Sequence, residues 1–241
     1  MTKDLTQGKI TPLLVKFTIP LLFGNIFQLM YNSVDSIIVG QLVGKEALAA
    51  GGTSNPLMTL AILFVNGMCI GASILMGTQY GAKKMDVLKR QISTTMIAGI
   101  VFSIAVTLFC ILFARPLLLL IRVQEEVLPL AVSYLRIVFL GFIFTFIYNF
   151  FACTLRALGD SKTPLYFLVT SAFLNIFGDL FFVVVLRWGV AGSAIATVCS
   201  EGLCCLLCGI YIKKKIPLLC LGKKWWVFDK SLLGKTVSYG S

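Results

Sequence analysis

Six stretches of this chain are each long and apolar enough to cross a bilayer as a helix, and they limit the fold more than any other feature. A span needs about 20 mostly apolar residues at 1.5 Å of rise each. The stretches run Phe17–Gly40, Ser54–Met76, Ile92–Ala114, Tyr134–Leu155, Pro164–Leu186 and Val190–Ile212. The connections between them are short and polar, or carry Gly and Pro. Pro56 and Pro164 stand in the first turns of their segments, where a missing N–H costs nothing. Pro20 stands one turn into the first segment, where it either bends the helix or starts it. The expected class is an all-α polytopic membrane protein, a single six-helix lobe over residues 1–212.

Composition agrees with that class. Hydrophobic residues make up 58% of the chain and charged ones only 13%, where a soluble domain carries about 25% charged. A net charge of +11 raises the question of nucleic acid, but the distribution answers it. With the N-terminus placed in the cytoplasm, 16 of the 21 Lys and Arg fall on the inner side and 5 on the outer. That asymmetry is the positive-inside pattern and predicts both termini inside a cell (cytoplasmic) membrane. No nucleic-acid partner is expected. The chain has no histidine, so imidazole bases and ligands are excluded. Of eight cysteines, Cys199, Cys204, Cys205 and Cys208 cluster on one segment; they read as small buried hydrophobes rather than metal ligands. No nucleophile–base pair, phosphate loop or metal-ligand spacing is visible, so no enzyme and no cofactor are expected.

Two carboxylates interrupt the greasy segments: Asp35 in the first and Asp179 in the fifth. Charges at membrane depth face a bundle interior or a wet cavity and mark ion or substrate paths. On a 1.5 Å rise, Asp35 lies about 8 Å from the outer end of its helix, and Asp179 and Thr197 about 10 Å. Gln28, Asn175 and Glu201 form a deeper tier at about 16–18 Å, with Asn149 deeper still. Helical spacing groups these residues into stripes. Gln28, Asn32 and Asp35 form one, Asn175 and Asp179 another, and Ser193, Thr197 and Glu201 a third. Three facing stripes would line a cavity of carboxylate, amide and hydroxyl oxygens suited to Na⁺ or a proton. Amides and hydroxyls also serve as simple interhelical glue, and Gln28, Asn32 and Ser193 fit that role singly. Glu201 belongs either to the cavity or to an ion pair nearer the cytoplasm. Gly67 and Gly71, one turn apart, permit close approach of another helix.

Several motifs occur in a recognisable order. GKEALAA follows the first segment, GTQYGAKK the second and RALGDSKTP the fourth. The fifth carries Asn175 and Asp179 as N-x-x-x-D, and GVAGSAIAT opens the sixth. In this order they resemble the multidrug and toxic compound extrusion (MATE) family, nearest its DinF-like branch, over essentially the whole chain. The resemblance implies two six-helix lobes around a central cavity, and exchange of Na⁺ or H⁺ for organic, often cationic, drug-like compounds. It implies a cation site at Asp35, Asn175, Asp179 and Thr197 with Asn149 and Gln28 nearby, and a bend of the first helix at Pro20. One lobe is present here, so a truncated copy is expected, with two assembling copies or a separate second chain as alternatives. Residues 213–241 read as a basic cytoplasmic linker toward the second lobe, with Trp225 and Trp226 suited to the membrane interface. The last stretch, LLGKTVSYGS, reads as the approach to a seventh helix or as a plain tail. Competing functions are a lipid-linked saccharide flippase of the same superfamily, which would need basic residues in its cavity, and a non-transporting remnant or partner subunit.

Overall fold

Helix follows helix with no strand among the described residues of this computed structural model, which are 10–216 and 226–240 of the 241. Lys3, Lys9, Lys223 and Lys224 of the inner-side count, Cys220 of the eight cysteines, and Trp225 lie outside them. The helices are α1 (Ile10–Leu42), α2 (Lys45–Gly81), α3 (Met85–Leu120), α4 (Leu128–Leu140), α5 (Phe142–Ala157), α6 (Lys162–Asp179), α7 (Gly189–Lys215) and α8 (Lys230–Gly240). A π-helical turn, Leu180–Val185, continues α6 directly after Asp179. Five helices are long and apolar enough to cross a membrane, and six spans result when the bent pair α4–α5 counts as one. The chain is thus a multi-pass membrane protein.

The core lies among α2, α3, α4 and α5, where Phe139, Phe142, Phe146, Phe150, Leu88, Leu118 and Leu135 are buried. The Phe146 ring occupies the space a side chain at Gly99 would take, which lets α5 lie close against α3. By contrast α1 packs mainly on α6 and α2. It leaves Leu14, Leu22, Phe23, Leu29 and Met30 exposed, as expected of surface that meets lipid or another lobe.

Three local features depart from the simplest reading of the segments. First, the fourth span is two helices meeting at 47°. At the joint Gly141 N–H donates to Val138 at 3.0 Å and Phe144 N–H donates to Gly141 at 2.8 Å, three-residue bonds that tighten the turn. Val198 of α7 fills the notch: a Cβ on Gly141 would lie 2.5 Å from its Cγ2. Second, Pro20 does not start α1, because the helix already runs from Ile10; α1 continues through it as one element.

Third, within 213–241 the residues Lys230–Gly240 are helical and dock on α2 and α3, with Thr236 buried against them. Gly67 and Gly71 of α2 give α8 its seat: a Cβ at Gly67 would come within 2.8 Å of the Gly240 carbonyl. The polar start of α3 holds the approach. Gln91 Nε2 donates to Thr236 Oγ1 at 2.7 Å, Val227 N–H donates to Ser93 Oγ at 2.9 Å, and Asp229 N–H donates to Thr94 Oγ1 at 3.1 Å.

Candidate cation site

The start of α6 is set by the RALGDSKTP loop. Gly159 takes φ +85°, a left-handed turn that suits glycine. It delivers the buried Asp160, whose Oδ1 accepts the backbone N–H of Lys162 (3.2 Å) and Thr163 (3.0 Å), while Oδ2 accepts the Thr163 hydroxyl at 2.6 Å. A carboxylate on free N–H groups caps a helix and complements its dipole. The cap fixes where α6 begins, and therefore where Asn175 and Asp179 stand four and five turns later.

Small residues then bring α7 onto α6. A Cβ on Gly178 would meet the Ala196 Cβ at 3.0 Å, and one on Gly192 would meet the Phe182 backbone at 3.1 Å. The GVAGSAIAT stretch thus works as a close-packing surface. It sets Thr197 against Asn175, with Thr197 Oγ1 3.2 Å from the Asn175 amide.

Asn175 and Asp179 are fully buried. The Asn175 amide satisfies both of its ends when its nitrogen faces the acids. It then lies 3.1 Å from Asp179 Oδ2, 3.3 Å from Asp35 Oδ1 and 2.8 Å from the Tyr31 hydroxyl, and its oxygen lies 3.2 Å from Thr197 Oγ1. The Asp35 and Asp179 carboxyls face each other within hydrogen-bonding reach, and Ser193 stands beside Asp179. Asp179 Oδ1 is buried without a hydrogen-bond partner among the described residues. Among the described residues no Lys or Arg acts on either acid. Two carboxylates side by side, one fully buried and one half-buried, favour a shared proton or a cation between them.

Of the residues expected at the site, Asp35, Asn175, Asp179, Thr197 and Ser193 come together from α1, α6 and α7. Gln28 and Asn32 are exposed on α1 and take no part in this network. Asn149 and Glu201 join a different group. Asn149 Nδ2 donates to the Thr145 carbonyl at 2.8 Å, and Thr145 Oγ1 donates to Glu201 Oε2 at 2.5 Å. Glu201 has no ion pair among the described residues. Tyr31 was missed by residue type, although it stands one turn before Asp35 on the same face of α1. Cys204 and Cys208 are buried while Cys199 is exposed.

Comparison with known proteins gives a consistent result. The MatE family model matches residues 20–181. The probable multidrug resistance protein YpnP of Bacillus subtilis (strain 168) is 34% identical over 211 residues, covering 88% of this chain and 47% of that protein. DNA damage-inducible protein F of Escherichia coli (strain K12) is 27% identical over 205 residues, covering 82% and 43%. An outward-facing structure of a multidrug resistance MATE transporter of the MOP superfamily superposes with a TM-score of 0.90 at 24% identity, over 100% of this chain and 54% of that one. The chain spans about half the length of the curated relatives it matches.

Proposed function

This chain belongs to the MatE family, and on that premise we propose that it is one lobe of a cation-coupled multidrug antiporter of the cytoplasmic membrane. Members of the family are membrane transporters rather than enzymes. The coupling ion, Na⁺ or H⁺, binds at Asp35, Asn175, Asp179 and Thr197, with Tyr31 and Ser193 at its edge. Organic, often cationic, drug-like compounds move in exchange, through a cavity that a second lobe completes.

The observation that carries this reading is the convergence of two acids from separate spans on one buried amide, with a carboxylate oxygen left unpartnered. Binding of a cation or proton removes the repulsion between the two carboxylates and lowers the penalty for closing α1 onto α6. Loss of the cation restores that penalty and favours separation. An equilibrium between two packings, biased by one ion, is what alternating access requires. A saccharide-lipid flippase would need basic groups for pyrophosphate, and this cluster is acidic.

The test is cation binding to the purified chain. Uptake of ²²Na⁺ and release of protons on Na⁺ addition are measured for the wild type, Asp35→Asn and Asp179→Asn. Each substitution should abolish the ion's binding. Wild-type binding retained in both variants sinks the proposal.

A further inference from the structure

Among the described residues one stretch, Leu180–Val185, is π-helical, and it begins directly after Asp179. At its end the Leu186 N–H donates to the Phe181 carbonyl at 3.0 Å, a bond over five residues where an α-helix spans four. The turn therefore holds one residue more than a regular helix needs. Such bulges are rare and occur frequently at functional sites, and this one abuts a carboxylate of the coupling pair.

The helix is pinned on both sides of the bulge. Inward, the Asp160 cap fixes the start of α6, and Asn175 is held to Thr197. Outward, the Trp188 ring stacks on Phe182 with centroids 5.5 Å apart. The Trp188 N–H donates to the Phe182 carbonyl at 3.0 Å, and the Phe182 backbone lies 3.1 Å from the Cβ position of Gly192. Between fixed ends a surplus residue can still pass along a helix, as each five-residue bond is exchanged for a four-residue one. Outward it has no room, because the chain reverses through Arg187 (φ +55°) and Gly189 (φ +57°). Inward, the first residues it carries are Leu180 and Asp179. Each turns by about 100° and shifts by about 1.5 Å, the step of one helical residue. Asp179 then takes the place that Gly178 now holds, facing α7 rather than Asp35. A Cβ at that place meets the Ala196 Cβ at 3.0 Å, so the turn of the acid also presses on α7.

We propose that the Leu180–Val185 turn is a register switch for Asp179. It stays beyond the acid while an ion or proton is held between Asp35 and Asp179, and moves inward across it when both acids are charged. The inference rests on the antiport reading and says how the acids part: by a change of register inside α6, with the ends of the helix in place. Repulsion between like charges supplies the drive. Asp179 Oδ1, with no partner among the described residues, leaves fewer bonds to break.

The 241-residue chain in nanodiscs is tested by hydrogen exchange of the 176–186 peptide, corrected for intrinsic rates, beside ²²Na⁺ binding and proton release. Deleting Val184, an exposed residue of the turn, removes the surplus and makes the Leu186-to-Phe181 bond an ordinary four-residue one. In the wild type, saturating Na⁺ or acidification should slow exchange of this peptide at least about fivefold. In the deletion, exchange should be slow with or without the ion, and ion affinity should equal or exceed that of the wild type. Asp179→Asn ends the repulsion without removing a residue, so it should slow exchange as the ion does, and it keeps the test if the deletion does not fold. The switch is overturned by a wild type that binds the ion without slowing, by a deletion that responds like the wild type or loses ion binding, or by fast exchange in Asp179→Asn. A wild type that binds neither ion overturns the antiport reading instead, and slow exchange in Asp179→Asn then leaves the switch standing.

Discussion

Replacing Gly71 by Ala should release α8 from the bundle, and the size of the effect follows from the contact. A Cβ at Gly71 would lie 2.8 Å from Gly240 N and closer still to the Thr236 carbonyl. Both are backbone atoms, which no rotamer change can move aside. To restore ordinary van der Waals distances α8 must withdraw by about 1.5 Å. That breaks the 2.7 Å bond from Gln91 to Thr236, and Gln91 Oε1 is already without a partner. Loss of an interhelical hydrogen bond in a membrane costs about 0.6 kcal/mol on average and up to about 1.7. Overpacking at a tight contact costs about 1–3 kcal/mol. A sum of about 2 kcal/mol raises the population of undocked α8 about 30-fold, at about 1.4 kcal/mol per factor of ten. Hydrogen exchange by mass spectrometry on the 230–240 peptide reads that opening directly. Gly81→Ala is the control, because its Cβ would meet nothing within 4 Å. Exchange in Gly71→Ala within twofold of the wild type would show that the seat on α2 does not hold α8, and the reasoning from close approach would fail.

Three further outcomes are expected. Asp160→Ala removes the cap on α6 and should lower stability by about 1–2 kcal/mol, seen as a drop in thermal midpoint in detergent; an unchanged midpoint would deny the cap its role. Gly178→Leu should push α7 from α6, part Thr197 from Asn175 and weaken ²²Na⁺ binding or the equivalent proton release. Gly209→Ala, whose Cβ meets nothing within 4 Å, should leave both as they are. Tyr31→Phe deletes one hydroxyl at 2.8 Å from the Asn175 amide and should reduce affinity for the coupling ion about two- to tenfold, the worth of one neutral hydrogen bond; unaltered affinity would remove Tyr31 from the site.

Much of the site was legible because a charge in hydrocarbon is so costly that two isolated aspartates stand out without any structure. Asn175 and Thr197 followed from helical spacing, since one turn separates each from an already suspect position. Tyr31 escaped notice because a tyrosine in an apolar span reads as bulk, although its place one turn from Asp35 was available. Spacing says which residues of the stripe share a face, and the rotation of α1 against α6 decides that Asp35 meets Asn175 while Gln28 and Asn32 stay exposed. Glu201 shares a stripe with Thr197, yet the bend at Gly141 brings α5 to it and gives it Thr145 in place of the acid pair.

The chain's own residues determined the class, the number of spans and the acidic character of the interior, because these follow from transfer free energies that act residue by residue. Packing alone decided the break between α4 and α5, where the residues on either side are uniformly apolar and no proline signals a bend. The same holds for the docking of α8, a short, polar helix held by two glycines of α2 and three polar side chains of α3. Such contacts join positions more than a hundred residues apart, and no local pattern along the chain encodes a distance between them.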